Sequence, residues 1–228
     1  MTNLHAQHSK GWAGLSFVVL LIVSIFAGGV PPPMNADPST IGAYLSTHRQ
    51  GLIAGGWLSF PIAAFFLWFA VGMAAFLRRT SARDDGLPTY ALITSAFIAA
   101  SALVASLVVT ALAYRTPLGG GLTFIWALEA LAAGPFLSMT IAIFVFAVAH
   151  SMRRHGSGAA WLVWLGYLTA LGQAVLTLGM FYPTGIPADN PVIGIALLAL
   201  FVVWMAAASL HLIMASGGKE QSGVSMPA

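Results

Sequence analysis

Leu122-Thr-Phe-Ile-Trp-Ala-Leu-Glu129-Ala-Leu-Ala-Ala-Gly-Pro135-Phe-Leu-Ser-Met-Thr-Ile-Ala-Ile-Phe-Val-Phe-Ala-Val-Ala-His150 is the stretch on which the fold turns. About 20 apolar residues cross a hydrocarbon core of roughly 30 Å as a helix rising about 1.5 Å per residue. This stretch is longer than that, and Glu129 is its only formal charge. It has no polar face of the kind a soluble amphipathic helix needs. Its Gly-Pro pair would break a soluble helix but is tolerated in a membrane, where neighbouring helices re-satisfy the freed backbone groups.

Five further runs of the same kind flank it, giving spans near Trp12–Val30, Gly51–Leu77, Thr89–Tyr114, Leu122–His150, Ala159–Phe181 and Val192–Ala215. Hydrophobic residues make up 59% of the 228 and charged residues only 7%. The mean hydropathy of +0.89 lies well above that of soluble domains. The expected architecture is therefore an all-α, polytopic membrane bundle of six helices, a single transmembrane domain over residues 1–228. The connections are too short to hold a separate soluble domain, so whatever the chain does happens in or at the bilayer.

Basic residues give an orientation, because short loops retained in the cytoplasm keep an excess of Lys and Arg. Lys10, Arg78, Arg79, Arg83, Arg153, Arg154 and Lys219 fall on one side, and Arg49 and Arg115 on the other. Both termini are expected to be cytoplasmic, in a bacterial inner membrane. The first apolar run is long for a signal peptide and Phe26-Ala27-Gly28 is a poor cleavage site, so it reads as a retained span. The net charge of +3 comes without a basic stripe or an aromatic platform, which argues against a nucleic-acid partner.

Several chemistries are disfavoured by composition. The chain has no cysteine, so disulfides, thiolate nucleophiles, Fe–S clusters and cysteine zinc sites are excluded. A retinal-type Schiff base needs a lysine inside a span, and Lys10 and Lys219 lie outside. No Gly-x-Ser-x-Gly turn with a deep histidine is present. No pair of histidines sits at matched depth in facing spans to ligate haem. His150, His155 and His211 read as interfacial residues near the basic side, where adjacent arginines disfavour a metal ion. No cofactor, metal site or catalytic residue is expected.

Glu129 is the candidate that remains. A carboxylate in hydrocarbon costs several kcal/mol unless it is protonated, paired or wetted, and intramembrane acids mark working sites by default. At about 1.5 Å per residue, Glu129, Gln173, Ser106 and Ser59 each lie roughly 11 to 14 Å from the outer end of their spans. Four helices thus supply polar groups at one level. Pro61 and Pro135 lie at or just below it as expected kinks, freeing backbone carbonyls near the same layer. Arg49 and Arg115 start above it, with stems long enough to bend toward Glu129. Such a layer can line an outward-facing cavity, or its members can satisfy one another and simply lock the bundle.

The loops and packing motifs read more plainly. After Pro31-Pro32-Pro33, Asp37-Pro38-Ser39 is a helix start, with Asp37 as cap and Pro38 at the first helical position. Outer loop 31–50 therefore holds a short interfacial helix with Ile41, Tyr44 and Leu45 on one face. Gly51-x-x-x-Gly55 and Ala102-x-x-x-Ser106 predict close helix approach. Trp12, Trp161 and Trp164 are expected at the inner interface and Trp126 at the outer one, as aromatic anchors. Pro61 before Arg78-Arg79 and Pro135 before Arg153-Arg154 suggest that the second and fourth spans are equivalent.

The proline-rich outer loop, Ile41-Gly-Ala-Tyr-Leu-Ser-Thr-His-Arg49 and Phe66-Leu-Trp-Phe69 together resemble small six-helix membrane proteins of bacteria. The resemblance covers nearly the whole chain and implies the fold; it brings no catalytic residues with it. Two functional readings stay open. In one, the protein binds or transports a small or lipid-like ligand at the polar layer around Glu129. In the other it is a structural or regulatory membrane subunit, the layer locking the bundle and an exposed face meeting a protein partner or a second copy. The lipid bilayer is a partner in both.

Overall fold

The computed structural model describes residues 2–33, 36–80, 85–114, 120–177 and 191–221, with side chains at 9–33, 36–80, 85–114, 121–177 and 193–215. Among the described residues all regular structure is helical: α1 (Thr2–Gly28), α2 (Pro38–Thr47), α3 (Arg49–Thr80), α4 (Leu87–Tyr114), α5 (Gly120–Leu131), α6 (Leu137–His155), α7 (Ala160–Thr177) and α8 (Pro191–Gln221). A π-helical turn, Ala132–Phe136, joins α5 to α6 without a loop. Six candidate spans result: Ser9–Gly28, Arg49–Thr80, Leu87–Tyr114, Gly121–His155, Ala160–Thr177 and Ile193–Ala215. The expected six-helix membrane bundle is the observed one.

The spans close into a ring. α3 packs between α1 and α4, α4 against α6, α6 against α7, and α8 closes the circle against α7 and α1. Lipid removes the hydrophobic drive between helices, so close van der Waals packing has to hold them together, and small residues permit it. A Cβ on Gly51 would lie 1.9 Å from the Ala27 carbonyl oxygen of α1, and one on Gly56 would lie 2.1 Å from Thr110 Oγ1 of α4. Gly14 meets Ser209 of α8 in the same way, and Gly166 meets Ala149 of α6.

The middle of the ring is filled by aromatic side chains. Phe66 of α3 lies 5.2 Å from Phe17 of α1 and 5.5 Å from Phe144 of α6, centroid to centroid. Phe144 in turn meets the edge of Trp204 of α8 at 6.2 Å. Phe66, Phe144 and Trp204 are each at most 2% exposed, so this is a packed core with no room for a central channel at that level. Tilted and edge-to-face ring contacts of this kind add about 0.5–1.5 kcal/mol each beyond burial.

The end of the bundle opposite most of the basic residues is closed by α2. Asp37 caps it by accepting hydrogen bonds from the Ser39 and Thr40 amides at 3.0 and 3.1 Å, and Pro38 occupies the first turn. Ile41 and Leu45 are fully buried among Leu52, Leu112, Ala113, Leu122 and Trp126, forming a second, smaller core. Trp126 departs from its expected place in the outer aromatic belt. It is 1% exposed, its ring meets Tyr44 at 5.8 Å, and its Nε1 donates to the Pro33 carbonyl at 3.4 Å, because α2 and the loop before it fold over it. Trp12, Trp161 and Trp164 are 55–63% exposed, as interfacial anchors are.

Two glycines of similar sequence context should separate under mutation. Gly51→Ala drives a methyl group into the backbone of α1 and is expected to lower unfolding stability in detergent by about 1–3 kcal/mol. Gly42→Ala, in α2 with no atom within 4 Å of its new Cβ, is expected to be neutral or to stabilise by up to about 1 kcal/mol. Thermal melts of both variants decide this.

The cap of α2 has its own pH signature. Hydrogen bonds from Ser39 and Thr40 hold the exposed Asp37 carboxyl at about 2, below its ordinary 3.8. A depressed acid of this kind stabilises fully above the ordinary value and loses that effect as pH falls through the lower one. The Ser39 and Thr40 amides should stay protected from hydrogen exchange until the pH approaches 2. In Asp37→Ala they should be unprotected at every pH.

Candidate functional site

The structure distributes the residues of the expected polar layer among three places. Ser59 and Ser106 face a cavity of about 270 Å³ between α1, α3 and α4. The slot is lined by Phe17, Leu21 and Ser24 from α1, by Gly51, Gly55, Ser59 and Phe66 from α3, and by Ala99, Ala102, Ser106 and Val109 from α4. It exists because α1 and α4 both seat on α3 but hardly touch one another. The small side chains that let them approach α3 leave the space between them unfilled. Phe17, Phe66 and Ile98 form its floor near mid-helix, and Gly28 and Gly51 its mouth at the end of the bundle covered by α2. Measured along α3 from Gly51 to Phe66, the lining extends about 22 Å at about 1.5 Å per residue. Ser59, Ala102 and Ser106 are partly exposed, so the slot opens sideways toward lipid.

The slot is apolar despite its serines. Ser59 Oγ donates to the Gly56 carbonyl at 2.7 Å, and the Ser106 carbonyl accepts from Thr110 Oγ1 at 2.7 Å. Bonding back to the preceding turn satisfies the Ser59 and Thr110 hydroxyls within their own helices. What the cavity offers a guest is mostly methyl, methylene and aromatic surface.

Glu129 lies elsewhere, in α5 and one helical turn after the buried Trp126. It is half-buried and makes no hydrogen bond or ion pair with any described residue. Arg49 does not reach it: this arginine lines a shallow surface depression with Gln50, Ile53 and Ala54. Arg115 lies outside the described residues. The group that does feel Glu129 is Tyr44 of α2. Burial, and secondarily the Glu129 charge, push the Tyr44 hydroxyl from 10.0 up to about 12. That hydroxyl donates to the Gly28 carbonyl at 2.9 Å, and Gly28 lines the mouth of the slot. Tyr44 thus senses the carboxylate through space and is hydrogen-bonded at the mouth of the cavity.

Gln173 occupies the third place. It is 3% exposed and its Nε2 donates to the Leu197 carbonyl at 3.1 Å, tying α7 to α8. One turn on, Thr177 Oγ1 donates to the carbonyls of Gln173 at 3.1 Å and Pro135 at 3.3 Å. α7 is thereby pinned to the π turn. Pro135 sits in that turn, whereas α3 continues as an α-helix through Pro61. The two prolines that suggested equivalent spans occupy different local geometries.

At the basic end the structure supplies a charged contact that sequence reasoning missed. Asp85 Oδ2 lies 2.7 Å from His155 Nε2, and the aspartate side chain is 3% exposed. Its other oxygen accepts from the Leu87 amide at 3.0 Å, and Ser151 Oγ is 3.5 Å from Oδ2. The turn before α4 is thus fastened to the end of α6. Asp85-Gly86-Leu87-Pro88, an Asx-type helix start, was the available signal. His150 and His211 go to other partners, the Tyr167 hydroxyl at 3.2 Å and the Ser157 carbonyl at 3.0 Å.

No family model, curated protein or solved structure matches this chain. Its six apolar helices make it an integral membrane protein.

The link from Glu129 to Tyr44 can be read by alkaline titration of phenolate absorbance. A phenol whose value is raised is favoured in its neutral form, an effect present below 10.0 and lost as pH rises through about 12. One tyrosine should titrate near 12, and Glu129→Gln should bring it down. A separate measurement checks the basic end. Asp85→Asn should lower stability by about 1–3 kcal/mol by weakening the bond to His155. The exposed neighbour change Arg154→Gln should stay within about 0.5 kcal/mol.

Proposed function

We propose that this membrane protein binds a lipid-like ligand, whose apolar chain lies in the slot between α1, α3 and α4 and whose polar end lies at the mouth near Tyr44 and Glu129. The slot carries the reading. It is long, apolar, floored by Phe17 and Phe66 and open sideways to lipid, which suits an acyl or prenyl chain arriving from within the bilayer. Cavities of this size hold small apolar molecules, and a few polar groups at one end set their orientation. Glu129, without a partner among the described residues, supplies a carboxyl group near that end. A ligand with an amine or several hydroxyls at its head fits it better than one with a phosphate. On the distribution of basic residues, the slot belongs to the outer leaflet of a bacterial cytoplasmic membrane.

One observation favours the structural alternative for a different part of the bundle. Gln173, Thr177 and Pro135 are buried or part-buried and tied to backbone carbonyls, which is how a helix lock is built. We assign the locking role to this group and the binding role to the slot.

Filling the slot tests the assignment. Ala102→Phe should abolish energy transfer from the protein's tryptophans to a fluorescent acyl-chain lipid, lowering apparent affinity at least about tenfold. The melting temperature should be unchanged or raised, because a void is filled. Undiminished energy transfer in a folded Ala102→Phe protein would remove the basis for a ligand in the slot. Ser59→Ala should bind normally, since its hydroxyl is served within its own helix.

A further inference from the structure

The last turn of α6 carries two arginines and no acid of its own. The guanidinium carbon of Arg153 lies 5.6 Å from the ring centroid of Trp164 and 5.9 Å from that of Tyr167. This aromatic wall is itself fixed: the Tyr167 hydroxyl and His150 Nδ1 are 3.2 Å apart, and His150 stacks on Phe146 at 5.5 Å. Gly156, at φ 61°, reverses the chain, and the Ser157 amide returns to the Met152 carbonyl at 3.1 Å. The last turn of α6 is thereby closed by its own backbone. Arg153 and Arg154 are exposed, and neither forms an ion pair with a described residue. Trp161 and Trp164, 60% and 63% exposed, set the depth of this patch at the bilayer interface.

We propose that Arg153, backed by Trp164 and Tyr167, binds the phosphate of an anionic phospholipid in the leaflet on the basic face of the protein. A guanidinium lying against aromatic rings keeps its edge N–H groups free, and their fork matches two phosphate oxygens. Basic pockets between transmembrane helices at this level take lipid head groups. Charge complementarity selects an anionic lipid over a zwitterionic one. The ammonium of a zwitterionic head would lie beside Arg153 and Arg154, and the nearby carboxylate, Asp85, is already engaged by His155 and the Leu87 amide. The site is at the opposite end of the bundle from the slot and does not rest on the reading given for it.

The test uses the full chain in nanodiscs of phosphatidylcholine, alone or mixed with phosphatidylglycerol. Wild-type protein should unfold at higher temperature with phosphatidylglycerol and retain it in native mass spectrometry. Arg153→Gln should weaken that retention about tenfold while unfolding at the wild-type temperature in phosphatidylcholine alone. Trp164→Leu should weaken it several-fold, leaving the charge but removing its support. Equal retention by Arg153→Gln would overturn the proposal. So would an equal drop in unfolding temperature in both lipids, which would mark Arg153 as structural. Inorganic phosphate stabilising the protein in phosphatidylcholine as well as phosphatidylglycerol does would reassign the site to a free anion.

Discussion

The structure depends on how closely helices can approach α3. In lipid an exposed leucine is as well solvated as a buried one, so bundle stability comes from surfaces that interdigitate. Gly51 and Gly56 admit the backbone of α1 on one side and Thr110 of α4 on the other. Those two contacts decide the positions of the neighbouring spans, and with them the space that remains between α1 and α4. The slot is a consequence of this packing. A row of small residues wide enough to seat two helices leaves a groove where neither helix reaches.

Below that groove the demand reverses. Phe17, Phe66, Phe144 and Trp204 meet ring to ring across the bundle and fill it. Small residues outward and large ones inward give α3 two different environments along one continuous helix. The floor of the slot is where they meet, and any ligand in the slot rests on rings held by three other helices.

The span count was legible from the outset, because a stretch such as Leu122–His150 has no other stable state than a membrane helix. The start of α2 was equally legible, since Asp37-Pro38 encodes a cap and a fixed φ in adjacent residues. The layer of Glu129, Gln173, Ser59 and Ser106 was legible in depth but not in direction. Rise per residue fixes height, whereas azimuth depends on how helices pack, and it sends Gln173 to α8 and Ser59 to the slot. Gly51-x-x-x-Gly55 announced close approach without saying that Gly55 would also line a cavity. Trp126 reads as a belt residue until α2 is folded over it, and Asp85 as a loop acid until α6 delivers His155.

Glu129 is best understood through the contrast between the two charged ends of the bundle. At the basic end Asp85 is almost fully buried, and it is tolerated because a histidine, an amide and a serine hydroxyl surround it. Glu129, half-buried, has no such set among the described residues. A buried acid that serves only stability is expected to be furnished with donors, as Asp85 is, because an unfurnished one costs several kcal/mol. An apolar residue in its place would carry no such cost. The acid is instead felt by the Tyr44 hydroxyl, which donates to the Gly28 carbonyl at the mouth of the slot, and the ligand proposal rests on that relation.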